Sequence, residues 1–339
     1  MDLTTGYLGL TLRSPLVASA SPLSATLDGV ISLANAGVGA IVLHSLFEEQ
    51  VRAQEVADLM VTEAYEGSFG EASDFFPKAP TVAHAGATPY LRHLERAVAA
   101  VDVPVIASLN GSTPGGWTSI ATSMESAGAA ALELNIYAVP GDVGLTGADV
   151  ERRHLEILGE VRRAVSIPVA VKLSPFLSAT GAMASALDEA GADGLVLFNR
   201  FLQPDVDTEA IRLVPGVTLS SRLEARLPRT WLAILRHRVS CSLAGTTGVE
   251  TSADVVAYLL AGADVVMTAS ALLRHGPSYA QVLLVGLESW LERRGYASLD
   301  AMRGLLAVPA GGDATAAQRA GYVGALQAAQ GTYGSLRVD

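Results

Sequence analysis

Lys172 stands near the end of an otherwise apolar run, VAVKLS (169–174). A lysine carried into an apolar setting is costly unless its charge meets an anion. The alternative is a stem laid along apolar surface with its ammonium in solvent. Two further segments, LAGTTGVETSADV (243–255) and VVMTASALLRHGP (265–277), pass from an apolar stretch through small residues into a helix start. Gly245 and Gly248 would let backbone N–H groups approach an anion. Ala269, Ser270 and Ala271 would present a second helix N-terminus to the same oxygens. The plainer reading is two ordinary helix starts packed with small residues. Asn135 and Asn199 end two more apolar runs and could offer paired donors and acceptors to a flat polar ring, or tie down their own loops. His44 stays open between an acid/base group, a donor to a ligand and a buried ring satisfied by backbone.

These residues need a frame that brings strand ends together. Four Ala-Gly pairs (36–37, 127–128, 190–191 and 261–262) each precede an apolar run: AIVLHS, ALELN, GLVLFN and VVMTAS. Glycine just past a helix lets the backbone turn left-handed, and the apolar run after it reads as a parallel strand buried on both faces. Two more strands start at Pro104 and Pro168. Repeated helix–glycine–strand units predict a (β/α)8 TIM barrel, with its site at the strand C-terminal ends. Those ends read His44-Ser45, Asn110, Asn135, Lys172 to Ser174, Asn199-Arg200 and Thr268 to Ser270. The two candidate anion segments then follow strands seven and eight, where barrels commonly hold a phosphate.

Around the barrel, residues 3–13 read as a hairpin closing its floor, with Gly9 in the turn. Helices are expected at 27–36, 89–100, 117–127, 149–165, 229–238, 252–261 and 279–294, with the seventh strand at 240–243. Residues 47–87 read as an excursion over the mouth, and 200–227 as a second one with a hairpin centred on 214–216. The Ala-rich end predicts a helix near 314–329, docked or at an interface. No linker interrupts the 339 residues, so one domain, 1–339, is expected.

Composition narrows the classes. The formal charge of −11 argues against a general nucleic-acid footprint. No apolar run is long enough for a membrane span, and the first residues lack a secretory pattern, so a cytoplasmic protein is expected. Cys241 is the only cysteine, which excludes an intrachain disulfide and a cysteine-ligated iron–sulfur cluster. The histidines show no metal-ligand spacing, so no metal is expected. Gly37 and Gly39 precede their strand, which rules out a dinucleotide-binding turn.

Together the motifs GLTLRSPLVASASP, ASLNG, LELN, VAVKLSP, GLVLFNRF, AGTTGVET and ALLRHGP resemble the dihydroorotate dehydrogenase family of FMN-containing barrels, over nearly the whole chain. The chain looks most similar to bacterial dihydroorotate dehydrogenase-like proteins. The resemblance implies that Lys172, Asn135 and Asn199 line the flavin ring and substrate. It implies that Ala18, Ser19 and Ala20 contact the flavin from strand one, with Asn110 also on the cofactor. Gly245, Thr247, Gly248, Ala269 and Ser270 would hold the FMN phosphate. His44, Asn135, Asn199 and Arg200 would face the substrate.

The chain also departs from that family. After strand four the dehydrogenases read L-N-x-S-C-P-N, with a Cys or Ser base; here the residues are LNIYAVP (134–140). Ala138 stands at the base position and Pro140 at the asparagine that grips orotate. His44 replaces a lysine. The N-S-M-G-x-x-N loop has no counterpart around His84–Pro89. The expected function is an FMN-dependent oxidoreductase acting on a CH–CH bond of a small polar substrate, dihydropyrimidine-like or otherwise conjugated. Hydride would pass at flavin N5, with Lys172 stabilising charge and Tyr137, His44, Ser174 or a water as acid/base. The alternatives are a genuine dihydroorotate dehydrogenase of pyrimidine biosynthesis and, from another class, a flavin-binding redox-partner subunit without its own substrate. A homodimer and a redox partner are the expected associations.

Overall fold

The computed structural model describes residues 1–51, 87–111, 117–137, 140–200, 204–214 and 216–333. Most of the expected first excursion, His84 within it, and Ala138 and Pro215 lie outside these residues.

Strands β1 (Thr5–Tyr7) and β2 (Leu10–Leu12) pair antiparallel. Then come β3 (Leu16–Ala18), β4 (Ala40–Val42), the short β5 (Leu46–Phe47), β6 (Val105–Gly111), β7 (Ala131–Ile136), β8 (Val169–Leu173) and β9 (Gly194–Leu197). A second antiparallel pair, β10 (Asp205–Asp207) and β11 (Arg212–Val214), precedes β12 (Ser242–Gly245) and β13 (Val265–Thr268). The parallel ladder β3-β4-β6-β7-β8-β9-β12-β13 closes on itself through β13 and β3, with β5 added along the end of β6. Helices between the strands complete the eightfold barrel that the sequence predicts. All four Ala-Gly glycines are left-handed, with φ of 92°, 90°, 92° and 114°. Each stops its helix without the steric cost a Cβ would bring.

Strand alternation sorts the barrel interior into layers. Val17, Val42, Ile106, Ala131, Ala170, Val196, Ala244 and Met267 form a small inner core, while a larger apolar cluster lies between strands and helices. Two residues further along the same faces stand Ser19, His44, Ser108, Glu133, Lys172 and Thr246. The apolar layer is therefore the floor of a polar one. From below, Tyr7, Leu8 and Leu12 of the hairpin join the inner core. Its turn has Leu8 at φ 54° and Gly9 at φ 73°, and Leu8 donates its N–H to Ser242 Oγ at 3.0 Å. The expected floor-closing hairpin is present.

Several boundaries differ from expectation, each for a visible reason. The helix expected from Asp149 runs over Gly147–Ala164, because Thr146 and Asp149 cap it reciprocally. The seventh barrel strand begins at Ser242 instead of Ser240: the Ser240 and Cys241 N–H groups are taken by the Asp188 carboxylate at 2.8 and 2.9 Å. The excursion hairpin exists, but its turn is at 208–211 rather than 214–216. The Asp207 carboxylate accepts from the Glu209 and Ala210 N–H groups at 3.1 and 3.0 Å and bends the chain there. The terminal helix, Ala314–Tyr333, is not docked on the barrel, since residues 315–328 are all exposed.

Candidate active site

The strand ends open into a cavity of about 750 Å³, within the roughly 300–1,000 Å³ usual for small-molecule sites. Ser19, Ala20, His44, Asn110, Asn135, Tyr137, Lys172, Asn199, Arg200, Thr247, Gly248, Ala269 and Ser270 all line it. The barrel thus brings together residues spread from position 19 to position 270. Two expected members are elsewhere. Ala18 is buried and points away from the cavity, as alternation with Ser19 requires. Gly245 faces the helix Ser252–Ala261; a Cβ there would meet Tyr258 Cδ1 at 2.3 Å. Its lack of a side chain serves packing.

Lys172 is buried, and its Nζ lies 3.4 Å from Glu133 Oε1. Their strands place Asn135 beside Lys172 and Glu133 beside Ala170. The lysine therefore reaches diagonally down toward the floor. Sequence reasoning missed Glu133, though a lone carboxylate in ALELN, two residues before Asn135, was a usable signal. Above this ion pair, Asn199 Nδ2 donates to Asn135 Oδ1 at 2.8 Å. That bond leaves the Asn135 amide N–H₂ and the Asn199 carbonyl as one donor and one acceptor side by side.

His44 stands over the edges of Tyr90 and His93, with ring centroids 5.2 and 5.7 Å away. Burial first, and His93 second, hold its pKa below the usual 6.5, so the ring is neutral at pH 7. Its Nδ1 is buried without a hydrogen-bond partner. Beside it Ser45 Oγ and Ser108 Oγ are 2.8 Å apart. Arg200 is held by Glu224 at 2.9 Å.

At the opposite wall two loops meet. Thr247 and Gly248 are both left-handed, at φ 80° and 69°. A Cβ on Gly248 would meet the Ser221 carbonyl oxygen at 2.4 Å, so only glycine fits. The non-glycine strain at Thr247 is held by Tyr258, whose hydroxyl lies 2.7 and 2.5 Å from the Thr246 and Thr247 carbonyl oxygens. Ser220, missed in the sequence because it lies inside a long excursion, joins the loops. Gly248 N–H donates to Ser220 Oγ at 3.2 Å, and Ser220 Oγ to Ser270 Oγ at 2.9 Å. The helix after β13, Ser270–His275, has only six residues. Hydroxyls and the glycine loop, more than a helix dipole, supply the polar groups of this wall. Among the described residues, no group of three or more His, Cys, Asp or Glu side chains could hold a metal ion.

The closed parallel barrel thus brings a wall of hydroxyls and glycine, a buried lysine and an amide pair to one mouth. The family model for dihydroorotate dehydrogenase matches residues 79–291. The chain is 30% identical over 198 residues to "Dihydroorotate dehydrogenase B (NAD(+)), catalytic subunit" of Shouchella clausii, covering 57% of this chain and 64% of that protein. The protein of the same name from Methanothermobacter thermautotrophicus is 30% identical over 212 residues, covering 60% and 69%. The one from Methanocella arvoryzae is 27% identical over 309 residues, covering 90% and 98%. The chain belongs to the dihydroorotate dehydrogenase family. Its cofactor is the family's FMN and its reaction class is oxidation at a CH–CH bond. These relatives support the alternative reading, a genuine dihydroorotate dehydrogenase, better than they support a separate substrate.

Proposed function

We propose that the chain is a single FMN-binding barrel domain, 1–339, that oxidises dihydroorotate. The relatives' names support dihydroorotate above any other substrate. The observation that carries the flavin half is the Ser220 bridge between the Gly248 and Ser270 loops, facing Lys172 across one cavity. Bound FMN supplies the hydride acceptor. Gly248, Ser220, Thr247 and Ser270 hold its phosphate. Lys172, on the cavity wall, would act on the bound flavin as a preorganised cation that favours the negative charge of the reduced ring. Asn135 and Asn199 orient the amide edge of the substrate. Ser19 and Ala20, just past β3, would support the flavin, and Asn110 of β6 would contribute a polar group. Arg200 and neutral His44 border the substrate side.

A second reading, a different small conjugated substrate, is favoured by the resemblance, which puts Ala138 where the family has its proton-accepting Cys or Ser. Of the acid/base candidates, Tyr137 and His44 line the cavity and are placed to take over that proton directly or through a water, while Ser174 does not line it. General base help is worth about 10²–10⁴-fold. We therefore expect dihydroorotate to reduce the flavin, but slowly by that factor. Anaerobic mixing of holoenzyme with dihydroorotate tests this. Slow bleaching supports the first reading; no bleaching, with a related dihydropyrimidine reducing the flavin, supports the second.

The relatives are named as catalytic subunits, which supports a redox partner that takes electrons from the flavin. A cytoplasmic homodimer completes the proposal, with the exposed helix Ala314–Tyr333 as a surface available to it.

A further inference from the structure

Among the described residues, Glu133 is the most deeply buried carboxylate facing the barrel interior: its side chain is 1% exposed, against 9% for Lys172. Burying such a pair gives little net stability, because desolvation offsets the attraction, and an apolar pair of similar volume would serve the fold as well. The pair is also incompletely satisfied. Glu133 Oε1 meets Lys172 at 3.4 Å, while Oε2 has no hydrogen-bond partner. The hydroxyl of Tyr7, rising from the hairpin floor, is also buried and unpartnered. Burial first, and the charge of Glu133 second, suppress the acidity of that hydroxyl.

We propose that Glu133 is a positioning residue that sets the redox potential of the bound flavin through Lys172, by fixing the ammonium from below and compensating part of its charge. This rests on the reading that FMN lies against Lys172. Electrons added to the ring develop negative charge at its edge. Lys172 favours that state and Glu133, one layer beneath, opposes it. In a low-dielectric interior both effects are large compared with water. The pair thereby keeps the flavin easier to reoxidise than the lysine alone would.

The test is the midpoint potential of FMN bound to purified holoenzyme, with no substrate present. Glu133→Gln keeps an oxygen near Lys172 and removes the charge. It should raise the potential by at least a tenfold change in the two-electron equilibrium, about 30 mV. Glu133→Asp, which keeps the charge, should return toward wild type. Should Glu133→Gln fail to fold because its lysine is stranded, the pair variant Glu133→Gln with Lys172→Met leaves no unpaired ion. Its potential should lie above that of Lys172→Met alone. A carboxylate with a purely structural role would lower the melting temperature and leave the potential where it was. An unchanged or lowered potential overturns the proposal. Wild-type protein that takes up no FMN would instead overturn the underlying functional reading.

Discussion

Asn199 donates its side-chain amide to Asn135 Oδ1 at 2.8 Å, joining β9 to β7 over the top of the intervening β8. The bond spans Lys172, and it fixes both amides in one orientation. Asn135 is buried, so its oxygen depends on this donor. Replacing Asn199 by Ala leaves that acceptor unpaired, at a cost of about 1–3 kcal/mol. A lowered urea midpoint together with weaker substrate binding is the expected outcome, read by denaturation and by flavin-spectrum titration.

Lys172→Met should slow flavin reduction by about 10²–10³-fold, the usual cost of one preorganised electrostatic group. The structure adds a cost: Glu133 would be left as an uncompensated buried charge. Breaking one side of such a pair typically costs about 3–5 kcal/mol. Stopped-flow reduction and thermal unfolding, measured on the same preparation, separate the two effects.

Gly248→Ala should lose FMN before it loses the fold. The residue is left-handed at φ 69°, and the new Cβ would press on the Ser221 carbonyl. A strained backbone of this kind costs about 1–3 kcal/mol. The displacement falls on the loop that Ser220 joins to Ser270. Tyr258→Phe should act on the same loop more mildly, since it removes the hydroxyl that holds the Thr246 and Thr247 carbonyls. Flavin content after gel filtration ranks the three proteins as wild type, Tyr258→Phe, Gly248→Ala.

His154 gives a pH dependence of defined sign. Its ring is buried, Nδ1 is 2.8 Å from the Val150 carbonyl, and Nε2 has no partner. Burial is the main cause that holds its pKa below the usual 6.5. His44 is shifted the same way, also chiefly by burial. The unfolded chain then takes up protons that the folded one refuses. Stability is fully present above about pH 6.5 and falls as the pH drops through the unfolded and then the folded value. Urea midpoints from about pH 7.5 to about pH 5.5 should decline, and His154→Gln should flatten the slope. An equal slope in the variant would remove His154 from the account.

Much of this was written in local sequence. The Ala-Gly pairs fixed where helices stop, because a left-handed residue is a local demand that glycine alone meets cheaply. The strands that end in Asn110, Asn135, Lys172 and Asn199 followed from apolar runs, and barrel closure then dictated that their ends converge. Contacts between distant segments were harder to read. Nothing near Ser220 announces that its hydroxyl will bridge Gly248 and Ser270. Glu133 stands out in ALELN as a lone carboxylate, but only the fold puts Lys172 within its reach. Gly245 looked like half of a phosphate loop, and its true neighbour, Tyr258, is a packing partner one helix away. Ser240 and Cys241 were lost from their strand to a side chain, Asp188, more than fifty residues earlier.

The central claim is that the barrel mouth is built for FMN, and the most direct measurement identifies the flavin released when the purified protein is denatured. The account predicts a yellow protein that releases close to one FMN per chain and no FAD. It also predicts that the stripped protein takes FMN up again, and that Gly248→Ala retains much less. A colourless protein that cannot be reconstituted with FMN, or one that releases FAD instead, would contradict it.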